Sequence, residues 1–105
     1  MIRDLGDGLL LRAATAGDAE PLAAFVGDVL RAQDSDTPSA PLTAWTRDLL
    51  EGRHPSFAPA DATVVVDSRT GAIVSCLHLI SQTWACGGVP IAVGQPELIG
   101  TATDR

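Results

Sequence analysis

Two cysteines and a histidine that could bind a metal together lie near one another in the sequence: Cys76, His78 and Cys86. Structural zinc sites usually pair their cysteines as Cys-x-x-Cys, and that spacing is missing here, so we expect no metal site. On a strand, His78 shares a face with apolar neighbours, and we expect it to be half buried with a neighbour that satisfies it. Two cysteines are too few for a disulfide framework and predict reduced thiols.

Acidic and hydroxyl side chains give weaker signals. Asp34 and Asp36 have the spacing that begins a calcium loop, but no third acid and no glycine follow at the required places. Hydroxyl residues alternate between positions 75 and 83 without the histidine and acid partners that a nucleophilic serine needs. Glu97 follows a proline in an apolar segment, where an ordinary solvated carboxylate is the plainest interpretation.

Composition predicts one globular domain over residues 1–105, with 46% hydrophobic and 19% charged residues. The net charge is −6 and every basic residue is an arginine, which argues against binding nucleic acid. No apolar run approaches the roughly 20 residues that cross a bilayer, so we expect no membrane partner. The first residues lack the pattern of a secretory signal, which predicts the cytoplasm.

The first half has the apolar spacing of a strand followed by two helices. A strand is predicted over 9–14, and Asp18 is expected to cap a helix over 18–31. The apolar stripe of that helix contains Leu22, Phe25, Val26, Val29 and Leu30. Its solvent face is expected to contain Gly27, Asp28 and Arg31. A proline-bearing linker leads to a second helix over 42–51, with Trp45 expected in the core.

The second half changes to strand-like patterns. Strands are predicted over 62–67, 72–84 and 89–101, the last interrupted at Gly94, Gln95 and Pro96, where we expect a bulge or an edge position. The order predicts an α+β fold: strand, helix, helix, then a three-stranded antiparallel meander in an incomplete sheet. The two helices must lie on this sheet to bury their apolar stripes.

Three short motifs follow one another in a family-like order. Leu11-Arg12-Ala13-Ala14-Thr15-Ala16-Gly17-Asp18 resembles a first strand ending in Arg-x-Ala that runs into Thr-x-x-Asp. Val64–Asp67 and Gly71–Val74 resemble two strands with a tight turn, and Pro96–Arg105 resembles a fourth strand and its exit. Together they resemble the amino-terminal half of the GNAT superfamily of N-acetyltransferases. The chain stops at Arg105, before the family's pyrophosphate loop would be complete, so we expect a fragment that is inactive alone.

The resemblance implies acetyl-CoA as co-substrate and an amine as acceptor. The main chain of the fourth strand would pair with the pantetheine arm and polarise the thioester, at Ile99, Gly100 and Thr101, although aliphatic residues are commoner at the last two places. Glu97 would be the catalytic base. Residues Gln33 to Thr46 would help to shape the acceptor pocket. The family's frequent tyrosine acid is not in this chain, which has no tyrosine.

A second hypothesis needs no catalysis. An unfinished sheet presents an unpaired edge strand, which invites a homodimer or the addition of a strand from a partner. The chain would then be a non-catalytic α+β association module. The identity of the acceptor amine is not indicated under either hypothesis.

Overall fold

The α+β prediction is confirmed by a computed structural model that describes residues 2–31 and 35–102. Within them lie five strands and two helices: β1 (Ile2–Gly6), β2 (Leu9–Ala13), α1 (Ala19–Val29), α2 (Ala40–Leu50), β3 (Ala62–Asp67), β4 (Ile73–Cys86) and β5 (Val89–Thr101). Short 3-10 turns at Ala16–Asp18 and Pro59–Asp61 precede α1 and β3. The strands form one antiparallel sheet in chain order, so the sheet has five strands where a first strand and a three-stranded meander, four in all, were expected.

Strand β1 is the element that the sequence patterns missed. All five of its residues are exposed, so it has no alternation of buried and exposed side chains to reveal it. The hairpin to β2 turns through Gly6, Asp7 and Gly8, all with positive φ. Asp-Gly between two strands is a strong hairpin signal, and it marks the turn here.

The turn into α1 is built around Asp18, in a different way from the one expected. Its Oδ2 accepts the backbone N–H of Thr15 at 2.8 Å, the acid-to-threonine half of a capping box. The Arg12 guanidinium donates to both carboxylate oxygens, at 2.7 and 2.9 Å. Asp18 is the N-cap residue of α1, as expected, but its side chain makes no capping hydrogen bond to that helix. Its carboxylate instead ties the end of β2 to the turn.

Helices α1 and α2 pack closely against each other, and Gly27 lies in their contact. Leu22 and Val26 of the predicted apolar stripe are fully buried. Gly27 is buried as well, which corrects its expected place on the solvent face. A Cβ at this position would lie inside contact distance of Thr43 Oγ1 and 3.1 Å from the carbonyl oxygen of Ser39. The absence of a side chain lets the two helices approach.

Both helices cover the same face of the sheet, and the core lies between the helices and the sheet. It contains Leu22, Val26, Leu49, Leu50, Phe57, Val64, Cys76, Ile80 and Leu98. Trp45 remains 38% exposed, so it is not the core residue expected of it. On the uncovered face of the sheet, Leu77 and Leu79 are 37% and 43% exposed. Among the described helices, none combines the length and the hydropathy that a bilayer crossing needs.

Candidate functional site

Strand β5 contains a β-bulge at Leu98, close to its carboxyl end. Glu97 pairs with His78 and Gly100 pairs with Cys76, so two residues of β5 lie opposite one residue of β4. Leu98 has a φ of 50°, in the left-handed region that favours glycine. Holding a leucine there costs about 1–3 kcal/mol, and such a conformation persists only where its surroundings determine it.

The carbonyl of Leu98 is held by two buried side chains of β4. Cys76 Sγ lies 3.3 Å from this oxygen and donates to it, and His78 Nδ1 lies at the same distance. Burial raises the pKa of the Cys76 thiol to about 11, so the thiol stays protonated at neutral pH and can donate. Burial also lowers the pKa of His78, so its ring is neutral. Because a carbonyl only accepts, this contact is a hydrogen bond when the ring proton is on Nδ1.

His78 is more deeply placed than the half-buried position expected of it. It is 0% exposed, and its ring stacks on Phe57 with centroids 5.9 Å apart and planes 27° apart. One neighbour satisfies Nδ1, as expected, but Nε2 has no hydrogen-bond partner within the described residues. A buried nitrogen left without a partner costs about 1–3 kcal/mol. Packing alone therefore does not account for a histidine at this place.

Glu97 lies beside the bulge, half buried and directly opposite His78 in the strand register. A chain of donors runs toward its carboxylate. Trp84 Nε1 donates to Gln82 Oε1 at 2.8 Å, Gln82 Nε2 to Gln95 Oε1 at 2.9 Å, and Gln95 Nε2 to Glu97 Oε1 at 2.7 Å. Every donor points the same way, which polarises the chain toward the carboxylate. Glu97 is thus an oriented acceptor and not a freely solvated edge charge.

The bulge at Leu98 lies three residues after Gln95, the centre of the segment 94–96 where a bulge or an edge position was expected. Ser81 pairs with Gly94, Ile80 with Gln95 and Leu79 with Pro96 in unbroken register. The proline is accommodated because β5 is an edge strand, where one N–H can face away from the ladder.

The open side of β5 presents main-chain groups near the bulge. Ala102 N–H donates to the carbonyl of Val74 at 2.9 Å, and Ser75 Oγ donates to the carbonyl of Gly100 at 3.1 Å. Polar groups alternate in direction along a strand, so those of Thr101 face the open edge. The N–H of Ile99 belongs to the same planar peptide as the carbonyl of Leu98, so it points away from Cys76 and His78. Of the three positions predicted to contact a cofactor, Ile99 and Thr101 therefore have available amides, whereas Gly100 is buried and faces β4.

Gly100 has a packing role that the sequence patterns did not suggest. A Cβ there would lie 3.2 Å from Val29 Cγ1 and 3.6 Å from Leu30 Cδ2. The end of α1 therefore approaches β5 closely just after the bulge. This contact gives a physical reason for a glycine at a place where an aliphatic residue was expected.

Other predicted positions fall away from the bulge. Gln33, Asp34, Arg105 and the side chain of Cys86 lie outside the part of the chain that the structure describes. Thr46, at the other end of the predicted acceptor loop, is buried and donates its hydroxyl to the carbonyl of Leu42 at 2.8 Å. Among the side chains that the structure describes, which leave out Cys86, no group of three histidine, cysteine or acidic residues could hold a metal ion.

A shallow depression of about 380 Å³ lies nearer the β4–β5 turn. It is lined by Ser56, Ser81, Gln82, Thr83 and Ala92. Gln82 also belongs to the donor chain that ends on Glu97, so the depression and the carboxylate are joined by hydrogen bonds.

Comparison of the sequence with known proteins does not identify a family or a function for this chain. No family model and no curated protein matches the sequence. The case for a function therefore rests on the bulge, the open edge of β5 and Glu97, beside the resemblance in the order of motifs.

Proposed function

We propose that this chain supplies the co-substrate strand and the catalytic base of a GNAT-type N-acetyltransferase that uses acetyl-CoA. The observation that carries the proposal is the bulge at Leu98 in an edge strand, with a carboxylate directly before it. The bulge withdraws one carbonyl into the core, and the next amides on the open side belong to Ile99 and Thr101. This combination offers donors and a base within a few residues of chain.

The open edge of β5 suits the chemistry of acetyl-CoA. The pantetheine arm carries amide groups that can pair with a strand edge in the way that an added strand does. The thioester carbonyl beyond it becomes an oxyanion during acyl transfer, and fixed main-chain N–H groups stabilise such a charge. Donors of this kind depend on the backbone path and not on the side chains at positions 99 and 101.

Glu97 is the proposed general base. Gln95 occupies one carboxylate oxygen and orients the group, which leaves the second oxygen for an acceptor amine. The carboxylate removes a proton from the ammonium form of the acceptor, and the free amine attacks the acetyl carbonyl. The nitrogen of the tetrahedral intermediate is cationic and gives up a proton, the carbon–sulfur bond breaks, and the departing thiolate of CoA takes up that proton. The proton held by Glu97 passes to solvent. The amide product and free CoA balance the reaction.

The test is a titration of the ¹⁵N-labelled chain with acetyl-CoA, followed amide by amide. A few main-chain hydrogen bonds at about 1 kcal/mol each correspond to dissociation constants on the order of 1 mM for this chain. We expect shifts concentrated at Ile99 and Thr101. Affinity much tighter than this would contradict our expectation that the chain alone is inactive.

Two substitutions at Thr101 provide a matched pair. Thr101→Pro removes the edge-facing N–H and Thr101→Val keeps it, while both lose the hydroxyl that contacts Ser75 Oγ at 2.9 Å. We expect the shifts caused by acetyl-CoA to disappear with proline and to persist with valine. Equal binding by the two variants, or shifts spread away from β5, would refute the proposed co-substrate site.

A second function, association through the edge of β5, is favoured by a separate observation. Among the strands that the structure describes, β5 pairs only with β4, and its apolar side chains Val89, Ile91 and Ile99 are 60%, 44% and 57% exposed. A homodimer through this edge would dissociate in Thr101→Pro and not in Thr101→Val. Light scattering across a concentration series distinguishes the two functions, because a strictly monomeric chain excludes edge pairing.

A further inference from the structure

The left-handed backbone of Leu98 is held by contacts that come from one neighbouring strand. Its side chain is buried, and its carbonyl accepts hydrogen bonds from Cys76 Sγ and His78 Nδ1, each at 3.3 Å. In a regular ladder this carbonyl would face a backbone N–H or the open edge. Two side chains on one face of β4 take the place of that partner.

His78 is the more informative of the two donors. It occupies a position with no exposed surface, where an apolar side chain would avoid burying a nitrogen without a partner. Its ring stacks on Phe57, which restricts the plane of the ring, and Nδ1 is the ring nitrogen that faces the Leu98 carbonyl. Within the described residues, the one hydrogen bond of the ring goes to the carbonyl of Leu98.

We propose that His78 is a positioning residue that, with Cys76, locks the bulge at Leu98 and so directs the amides of Ile99 and Thr101 to the open edge of β5. This inference rests on the proposed function for its consequence, the binding of acetyl-CoA, but the lock itself is a property of the chain without ligand. The thiol has a raised pKa and the ring a lowered one, so the lock is complete at neutral pH.

The first experiment uses the unaltered chain and the long-range ¹H–¹⁵N spectrum of its histidine rings. A neutral histidine in water favours the proton on Nε2, whereas donation to the Leu98 carbonyl requires the proton on Nδ1. We expect the ¹⁵N shifts of the Nδ1–H tautomer for His78. The Nε2–H tautomer would overturn the proposal, because Nδ1 could then not donate.

The second experiment compares His78→Asn with His78→Leu. The amide nitrogen of asparagine lies close to the place of Nδ1 and keeps a donor, whereas leucine fills the space without one. The Cα and Cβ shifts of Leu98 report left-handed or extended backbone. We expect wild-type shifts in His78→Asn and a change of roughly fivefold in the ratio of the two conformations in His78→Leu, the factor that one net hydrogen bond represents. Identical Leu98 shifts in both variants would overturn the proposal.

A second pair of variants covers the case in which His78→Leu does not fold. Cys76→Ser retains a donor toward the Leu98 carbonyl, and Cys76→Ala removes it. We expect the Leu98 shifts to change in the alanine variant and to stay near wild type in the serine variant. The reverse order, or no difference between the two, would contradict a lock built from side-chain donors.

Acetyl-CoA separates a failure of the lock from a failure of the proposed function. If the wild-type chain shows no shifts at Ile99 and Thr101 with acetyl-CoA, the proposed function fails while the tautomer and the Leu98 shifts still decide the lock. If the wild-type chain and His78→Leu bind acetyl-CoA equally well, the positioning role fails and the co-substrate site stands.

Discussion

Replacing Gly27 by alanine should destabilise the protein, although alanine is the better helix former. The new Cβ would meet Thr43 Oγ1 inside contact distance and the Ser39 carbonyl oxygen at 3.1 Å. Thr43 Oγ1 also donates to that carbonyl at 2.9 Å, so the hydroxyl cannot move away without losing its hydrogen bond. Helices α1 and α2 must therefore separate, or this hydrogen bond must break.

The magnitude follows from three contributions. Overpacking of a tight contact costs about 1–3 kcal/mol, and the lost hydrogen bond adds about 1 kcal/mol. The higher helix propensity of alanine offsets about 1 kcal/mol. We therefore expect Gly27→Ala to lower the free energy of unfolding by about 1–3 kcal/mol.

The assay is urea denaturation followed by far-UV circular dichroism. Ala24→Gly, at an exposed position of the same helix, measures the propensity contribution in this protein. The double variant Gly27→Ala with Thr43→Ala removes the clashing hydroxyl, and we expect a favourable coupling of about 1–2 kcal/mol. If Gly27→Ala raised the free energy of unfolding by as much as Ala24→Gly lowers it, the close contact between the two helices would be refuted.

Three further predictions concern other contacts. Gly100→Val should destabilise by about 1–3 kcal/mol, because its side chain meets Val29 at the end of α1; urea midpoints equal to wild type would reject that approach. The hydrogen bond from Arg12 lowers the pKa of Asp18 in the folded protein. The ionised Asp18 therefore contributes its full stabilisation of the fold above the unfolded-state pKa of about 4, and this contribution is lost as pH falls through the pKa of Asp18 in the folded state. Asp18→Asn should thus remove part of the acid dependence of the urea midpoint, and an unchanged slope would contradict this. Burial raises the pKa of the Cys76 thiol to about 11, so alkylation of Cys76 at pH 8 should be slow until urea unfolds the chain. Mass spectrometry of the peptides measures the rate, and rapid alkylation of the native chain would contradict the burial of Cys76.

Much of the fold was accessible from periodicity. The apolar stripe of α1 and the β-branched segment of β3 lie within one or two residues of their expected bounds, since both depend on spacing along a short stretch of chain. Strand β1 was missed because an exposed strand shows no alternation, although Asp7-Gly8 marks the turn that follows it. The burial of Gly27 was not accessible, because it depends on Thr43 and Ser39 from another helix.

The candidate site shows the same division. Glu97 and the interrupted character of the last strand could be found from residue types alone. A bulge or an edge position was expected around the glycine and proline at 94–96, and β5 is an edge strand. The place of the bulge at Leu98 has no local signal, because leucine seldom adopts positive φ. What holds it there is a pair of donors that lie 20 and 22 residues earlier in the chain. Such a contact exists only after β4 and β5 have paired.

The most direct test of the co-substrate site uses acetyl-CoA labelled with ¹³C at the acetyl carbonyl. If the edge amides of β5 polarise the thioester, the carbonyl resonance should move downfield in proportion to the bound fraction with wild-type chain and with Glu97→Gln, and should stay in place with Thr101→Pro. A carbonyl resonance that does not shift when wild-type chain is added, or that shifts equally with Thr101→Pro, would contradict a co-substrate site on the edge of β5.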